Sequence, residues 1–465
     1  MISLSITDYS FIVSAALLML LAAWLGSRKK QNSETDYLLS GKKVGLFAFV
    51  LANVAAWYGG ILGIGEFTYS SGLLSWVTQG LPYYICAVLY AIFLAQKIRS
   101  GTGNTIPEQF LFMYGNKAAI AGAVIVFLLV NPAPYLLMAS EIIQLFLPVS
   151  PLVAIAIILI PLILYLMKGG YRANLYADVF LFFVMFGGFI VGVAFLISEF
   201  GGYSFIAAHV PADHLTFTGG APPAYILVWF FIALWTFADP GFHQRTLAAR
   251  SPSVARYGIL ISVILWAVFD FLTLTTGLFS RALLPQLENP VRSFPELAAV
   301  VFPHGIKGLF LASLFATVIS TLNSFLFLGG VTFGKDILIA SQSRFAESVQ
   351  SSKPAIGKGL IVTGILSTVL ALTIPSVITL WYLIGSIAIP GILYPVLGAY
   401  IRRFRLQESL VLFQMIGAPL AGLIWHILRV NAQLAESILV IEPMIVGLVF
   451  STAVQIVGII KKKPE

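Results

Sequence analysis

The sequence predicts an all-α integral membrane protein that crosses the bilayer about thirteen times. Three observations carry this: an apolar composition, a regular succession of long apolar runs, and a segregation of basic residues into alternate loops. Of the 465 residues, 59% are hydrophobic and 10% charged, and the mean hydropathy is +0.95. A soluble domain carries roughly 25% charged residues. No water-soluble packing buries so much apolar chain, so lipid must be part of the solvent.

A crossing helix needs about 20 mostly apolar residues. The first run that qualifies, near 8–27, has no basic residues ahead of it and no small-residue cleavage site. It therefore reads as a retained membrane helix rather than a signal peptide. Further runs follow near 46–70, 74–96, 119–147, 151–167, 174–199 and 222–241. The remainder lie near 255–280, 308–333, 357–374, 377–400, 408–428 and 437–460. The division between 357–374 and 377–400 rests only on "TIPSVIT".

The basic residues orient these runs. With the N-terminus outside, only Arg281, Arg292, Lys307 and Arg429 fall in outside loops, and every other Lys and Arg falls inside, as the positive-inside rule requires. The same distribution excludes nucleic-acid binding as the reason for the net charge of +8, because the basic residues serve orientation and meet anionic lipid. The single cysteine, Cys86, excludes a disulfide framework and a thiolate metal cluster. No His-rich cluster, nucleophile motif or Walker loop is present, so neither an enzyme nor an ATP-driven pump is expected.

Without the first helix and the last two, ten spans remain. They divide into five over 46–199 and five over 222–401, flanked by an N-terminal helix and loop (1–45) and two C-terminal helices with a basic tail (402–465). Five is odd, so the two halves enter the membrane from opposite sides, an inverted repeat typical of secondary transporters. The first helix of each half is interruptible. One contains "ANVAAWYGGILGIG" and the other "ALWTFADPGFHQR", with Asp239, Pro240 and Gly241 near the end of its run. Matched interruptions point to a binding site, because unwound backbone is tolerated in a membrane where it lines a cavity. Glycines in membrane helices also serve close packing, but a matched pair favours the first reading.

Four segments resemble the sodium:solute symporter family: "TDYLLSGKKVG" before the second span, "GGYRANLYADVFLFFVM" (169–185), "QRTLAARS" (244–251) and "ATVISTLNSFLFLGGVTFGKDI" (316–337). They run in the family's order from about residue 35 to 405. The resemblance implies a leucine-transporter-type (LeuT) fold. It also implies sodium-coupled import of a small polar solute, such as proline or a monocarboxylate, through a multi-pass protein of the plasma (inner) membrane. By that resemblance, sodium is held by the carbonyls of Leu51, Val54 and Thr317 and the hydroxyls of Ser320 and Thr321. The alternative for the hydroxyls is a bond to their own i−4 carbonyl. A second sodium would use Asp178, Asn323 and Ser324, with Ser320 shared. Asn323 departs from the family's serine-rich pattern, and Asp178 could instead be a solvated acid near a helix N-terminus.

The solute is expected beside the interruptions, against Asn53, Trp57, Tyr58, Gln79 and Trp235. Asn53 and Gln79 hydrogen-bond in both directions, and a mid-membrane amide needs a partner. With no Lys or Arg expected in mid-span, a zwitterion, a monocarboxylate or a neutral polar solute fits better than a multiply charged anion. Glu66, Glu141, Asp239 and Asp270 are intramembrane acids open to solute, proton or gating roles. Two other functions compete. One is a proton-coupled carrier using Asp178 or Glu141. The other is a sensor module, for which the 334–356 loop is too short to supply a signalling domain. The partners expected are sodium, a small solute and the bilayer; oligomeric state is open.

Overall fold

The computed structural model describes residues 2–29, 31–339, 349–374, 377–431 and 441–461. The predicted loop over 334–356 is partly helical, since turns continue through Thr332–Ile339 and helix resumes at Val349; its centre, 340–348, lies outside the described residues. The start of the predicted run 437–460 does likewise.

The chain forms helices throughout. We number those that build the site: α1 Ile6–Ser27, α2 Leu46–Ala55, α3 Ile61–Ser71, α4 Leu81–Phe93, α5 Asn116–Leu129, α6 Ala133–Phe146 and α7 Pro151–Phe200. They continue as α8 Pro223–Ile232, α9 Pro240–Ala248, α10 Pro252–Leu283, α11 Ile306–Val331, α12 Val349–Thr373, α13 Val377–Tyr400, α14 Glu408–Asn431 and α15 Pro443–Ile460. Among the described residues nine helices are long and apolar enough to cross a bilayer, and the bent pair Pro223–Phe237 and Pro240–Ala248 makes a tenth. The expected thirteen and these ten differ at three places. The 50 residues of α7 count once, yet at 1.5 Å per residue they extend about 75 Å, against a hydrocarbon core of about 30 Å. Gly170 interrupts that helix at φ 56 and ψ −147, a conformation open to glycine, so the two predicted runs 151–167 and 174–199 are its two arms. The halves α2 and α3 are each too short to count, as is Ala388–Tyr400, the shorter apolar stretch of α13.

Packing separates a hub from a rim. In α11, 89% of the most apolar window is buried, against 22% in α1. Around α11 lie α7 and both broken helices, and with α10 they share one core that includes Phe189, Trp266, Phe269, Phe310 and Phe327. A second core joins α5 to α13–α15 through Phe110, Val126, Ile392 and Met415. On the outer faces, Ile157, Ile160, Leu164, Phe183 and Ile190 are exposed. That pattern is the reverse of a soluble protein and suits contact with lipid tails.

One end of the assembly is laced across. Val44 exchanges backbone hydrogen bonds with Ala248 (3.1 Å) and Arg250 (2.8 Å). The Tyr37 hydroxyl donates to the Leu166 carbonyl at 2.9 Å, just before the Gly170 kink. Lys335 pairs with Glu34 at 2.5 Å and Glu108 at 2.7 Å. The segment preceding α2 is thereby fixed to the kink of α7 and to the ends of α9 and α11.

Candidate functional site

Both predicted interruptions exist. In the first, the helix stops at Ala55 and resumes at Ile61. In the second, α8 tightens into a 3-10 turn over Ala233–Phe237 and restarts at Pro240 after a 41° bend. The Asp239 carboxylate accepts the Phe242 amide at 2.6 Å, making it the N-cap of α9. Proline at the first helical position suits that start, because its missing N–H would have no partner there.

The fold brings the two breaks together. Trp57, in the first, packs its ring 5.5 Å from Phe242, in the first turn after the second. Trp57 also stacks on Trp266 of α10 at 4.7 Å. The Tyr58 hydroxyl donates to the Trp266 carbonyl at 2.8 Å. The predicted solute residues do not all converge, however. Asn53 is buried in α2 with its Nδ2 unpartnered. Gln79 lies in a separate small cavity with Trp76 and Asp270. Trp235 is half-buried on the 3-10 turn, packed against the second core.

On α11 the hydroxyls separate into two kinds. Thr317 bonds to its own helix, donating to the Ser313 carbonyl at 2.6 Å. Ser320 and Thr321 instead reach other helices. The Ser320 hydroxyl donates to Asp178 Oδ1 of α7 at 2.6 Å, and the Thr321 hydroxyl donates to the Ala56 carbonyl at 3.0 Å. That carbonyl lies just past the predicted Leu51 and Val54, which stand in the last turns of α2; the Val54 carbonyl accepts the Trp57 amide at 3.2 Å. Hydroxyl, carbonyl and carboxylate oxygens thus meet at one seam, the donor set a hard monovalent cation requires.

Asp178 is 1% exposed, so it is not a solvated helix-terminal acid. The Asn174 amide bridges it to α11, donating to Asp178 Oδ2 at 3.1 Å and to the Ser324 hydroxyl at 3.0 Å. Arg245 Nη2 donates to the same Ser324 oxygen at 3.1 Å. Asn323 is fully buried, and both its amide atoms lack a partner; it is not hydrogen-bonded into the Asp178 network.

Asn174 and Arg245 were not expected here. The spacing of Asn174 and Asp178, four residues apart on one helix, is the signal that could have found the first, since such pairs face each other. Arg245 reads from sequence as an inside-loop cation. It is instead helical and 6% exposed, because α9 continues past the apolar run and folds its polar end against α11. Arg245 is thus a buried cation in the last turn of α9 rather than a solvated loop residue. Of the remaining acids, Glu66 and Glu141 are half-buried on α3 and α6, Asp239 caps α9, and Asp270 lines the cavity with Gln79.

Comparison with known proteins identifies the family and the fold. The sequence model of the family described as "Sodium:solute symporter family" matches residues 37–417. The chain is similar to a sodium/glucose cotransporter of Vibrio parahaemolyticus, 25% identical over 70% of this chain and 67% of the relative. It is also similar to the high-affinity choline transporter 1 of Drosophila melanogaster, 24% identical over 83% of this chain and 65% of the relative. The chain therefore spans about two thirds of the length of these relatives. Its fold is similar to that of a Na+-coupled sialic acid symporter solved in a substrate-bound outward-open state. The TM-score there is 0.82 at 18% identity, covering 98% of this chain and 97% of that one.

Proposed function

Because the chain belongs to the sodium:solute symporter family, a family of transporters and not of enzymes, we propose that it imports a small polar organic solute together with sodium by alternating access. The solute is an amino acid such as proline, or a monocarboxylate. The two five-helix halves, 46–199 and 222–401, rock about the paired breaks, with the N-terminus outside, thirteen spans in all and the plasma membrane as its place. Sodium sits at the seam between α11 and the first break. Its ligands are the hydroxyls of Ser320 and Thr321 and the carbonyls of Leu51, Val54 and Thr317, with Ala56 added from the geometry. Asp178, Ser324 and Asn323 hold a second sodium, sharing Ser320. Asn53, Trp57, Tyr58, Gln79 and Trp235 receive the solute.

The observation that supports this best is the direction of the Ser320 and Thr321 hydroxyls. A structural hydroxyl in a membrane helix returns to its own i−4 carbonyl, as Thr317 does. These two leave their helix for a carboxylate and a freed carbonyl. A membrane potential supplies about 2.3 kcal/mol per charge per 100 mV, so one sodium accumulates solute roughly 40- to 50-fold from that source alone.

The test is a titration of purified protein with sodium against potassium at constant ionic strength, followed by tryptophan fluorescence. Trp57 and Trp235 stand at the two breaks and report occupancy. The expected result is a saturable response to sodium alone that weakens about tenfold or more in Thr321→Ala, a loss of about 1.4 kcal/mol. An equal response to both cations, or one unchanged in the variant, rejects the site and moves coupling to a proton on Asp178.

A further inference from the structure

The cavity that holds Gln79 contains a carboxylate with no assigned role. Asp270 stands near the middle of α10, where an ionisable side chain is costly unless it has a partner or a ligand. One of its oxygens accepts the Tyr84 hydroxyl and lies against Gly80, where an added Cβ would come within 2.8 Å of it. None of the residues lining the cavity is Lys, Arg or His; its polar wall is Thr68, Ser75, Gln79, Asp270 and Thr273. A half-buried carboxylate faced only by neutral groups is matched by a cation from outside the chain when ionised.

The same wall says which kind of cation. Gln79 Nε2 and Trp76 Nε1 are buried without hydrogen-bond partners. Both are N–H donors, which a metal cation cannot satisfy and a solute's acceptor oxygen can. Trp76, which lines the cavity, packs its ring 6.5 Å from Tyr84. Ring faces attract organic ammonium groups.

We propose that Asp270 is the solute's charge-selecting residue, and that the solute carries a positively charged amine or ammonium group together with a hydrogen-bond acceptor. The ammonium lies between Asp270 and the Trp76 and Tyr84 rings, and the acceptor takes the N–H of Gln79. This rests on the reading of the chain as a symporter and narrows it, removing monocarboxylates and neutral sugars from the candidate solutes. The cavity is separate from the breaks but stands next to the first, since Tyr58 packs its ring 4.6 Å from Phe269, the neighbour of Asp270.

The experiment uses the full chain and four small probes of different charge: choline, L-proline, D-glucose and L-lactate. Each is titrated in saturating sodium against wild type, Asp270→Asn and Asp270→Glu, with Trp76 as a reporter inside the cavity. The expected result is a saturable response to choline or proline that weakens about 10- to 100-fold in Asp270→Asn, the worth of a charged hydrogen bond, and recovers in part in Asp270→Glu. A sodium titration of each variant shows that the fold and the seam on α11 are intact. A response to glucose or lactate alone, a response to none of the four, or amine binding equal in wild type and Asp270→Asn overturns the proposal. Failure of the symporter reading is separate: sodium then gives no response in wild type, whatever the amines do.

Discussion

The two helix breaks do the same topological job by different chemistry. The first, between α2 and α3, is made by small residues. Gly60 heads α3 with no side-chain cap, and Gly59 lets Thr321 approach so closely that an added Cβ would sit 2.4 Å from the threonine Cβ. The second is made by a proline start and an acid. Asp239 closes the N-terminus of α9 with its own carboxylate at 2.6 Å, and the His243 ring nitrogen meets the Phe237 carbonyl at 2.9 Å. A helix end carries partial charge and unsatisfied backbone groups, negative at the C-terminus and positive at the N-terminus. The second break satisfies its own end. The first leaves the carbonyl end of α2 facing the hydroxyls of α11. That asymmetry is the reason the cation is proposed at the first break and a mechanical part at the second.

The sharpest way to break this comparison is Gly59→Ala. The new methyl group would overlap the Cβ, hydroxyl and methyl of Thr321, all within 2.7 Å, and α11 is too well packed to move aside. Overpacking of this kind costs about 1–3 kcal/mol; here the upper end is expected, together with loss of the sodium-dependent fluorescence response. Gly187→Ala is the control, because nothing lies within 4 Å of its added Cβ, so its melting temperature and sodium response should match wild type. If Gly59→Ala behaves like that control, the close approach at the first break carries no function.

Asp239→Ala comes next in size. Removing an N-cap costs about 0.5–2 kcal/mol, and the fall should appear as a lower melting temperature. Asp239→Asn should recover most of it, since an amide oxygen also accepts the Phe242 N–H. A large loss of sodium affinity in Asp239→Asn at unchanged melting temperature would erase the distinction between the breaks and make Asp239 a ligand.

How much of this was legible in the sequence follows from the same contrast. Glycine pairs and Asp-Pro-Gly punctuate an apolar run visibly, so both breaks could be located from the text alone. The separation at Asn131-Pro132 between α5 and α6 stayed inside a run taken as one helix, although Asn-Pro is itself a turn signal. The hydroxyls of α11 were identifiable as residues but not by direction, because whether a serine bonds to its own helix depends on which neighbour packs against it. Arg245 illustrates the limit best. Apolar counting ends a span where polar residues begin, and a polar helical end folded into the interior has the composition of a loop. Asp270 had no motif around it; its meaning comes from Gln79, Trp76 and Tyr84, nearly two hundred positions away in sequence.

The smallest effect offers the finest test of register on α11. In Thr317→Val the side chain keeps its shape and loses a hydroxyl whose only recorded partner is the Ser313 carbonyl of its own helix. Removing such a hydrogen bond costs about 1 kcal/mol of stability. The backbone carbonyl of residue 317, the group assigned to sodium, is untouched. Sodium affinity should therefore stay within about twofold of wild type, less than 0.5 kcal/mol, whereas Ser320→Ala and Thr321→Ala each lose about tenfold or more. If sodium affinity instead falls in Thr317→Val as far as in Thr321→Ala, the side chain of residue 317 reaches the ion. The ligand set would then lie one turn nearer the start of α11, away from the carbonyls that the first break releases.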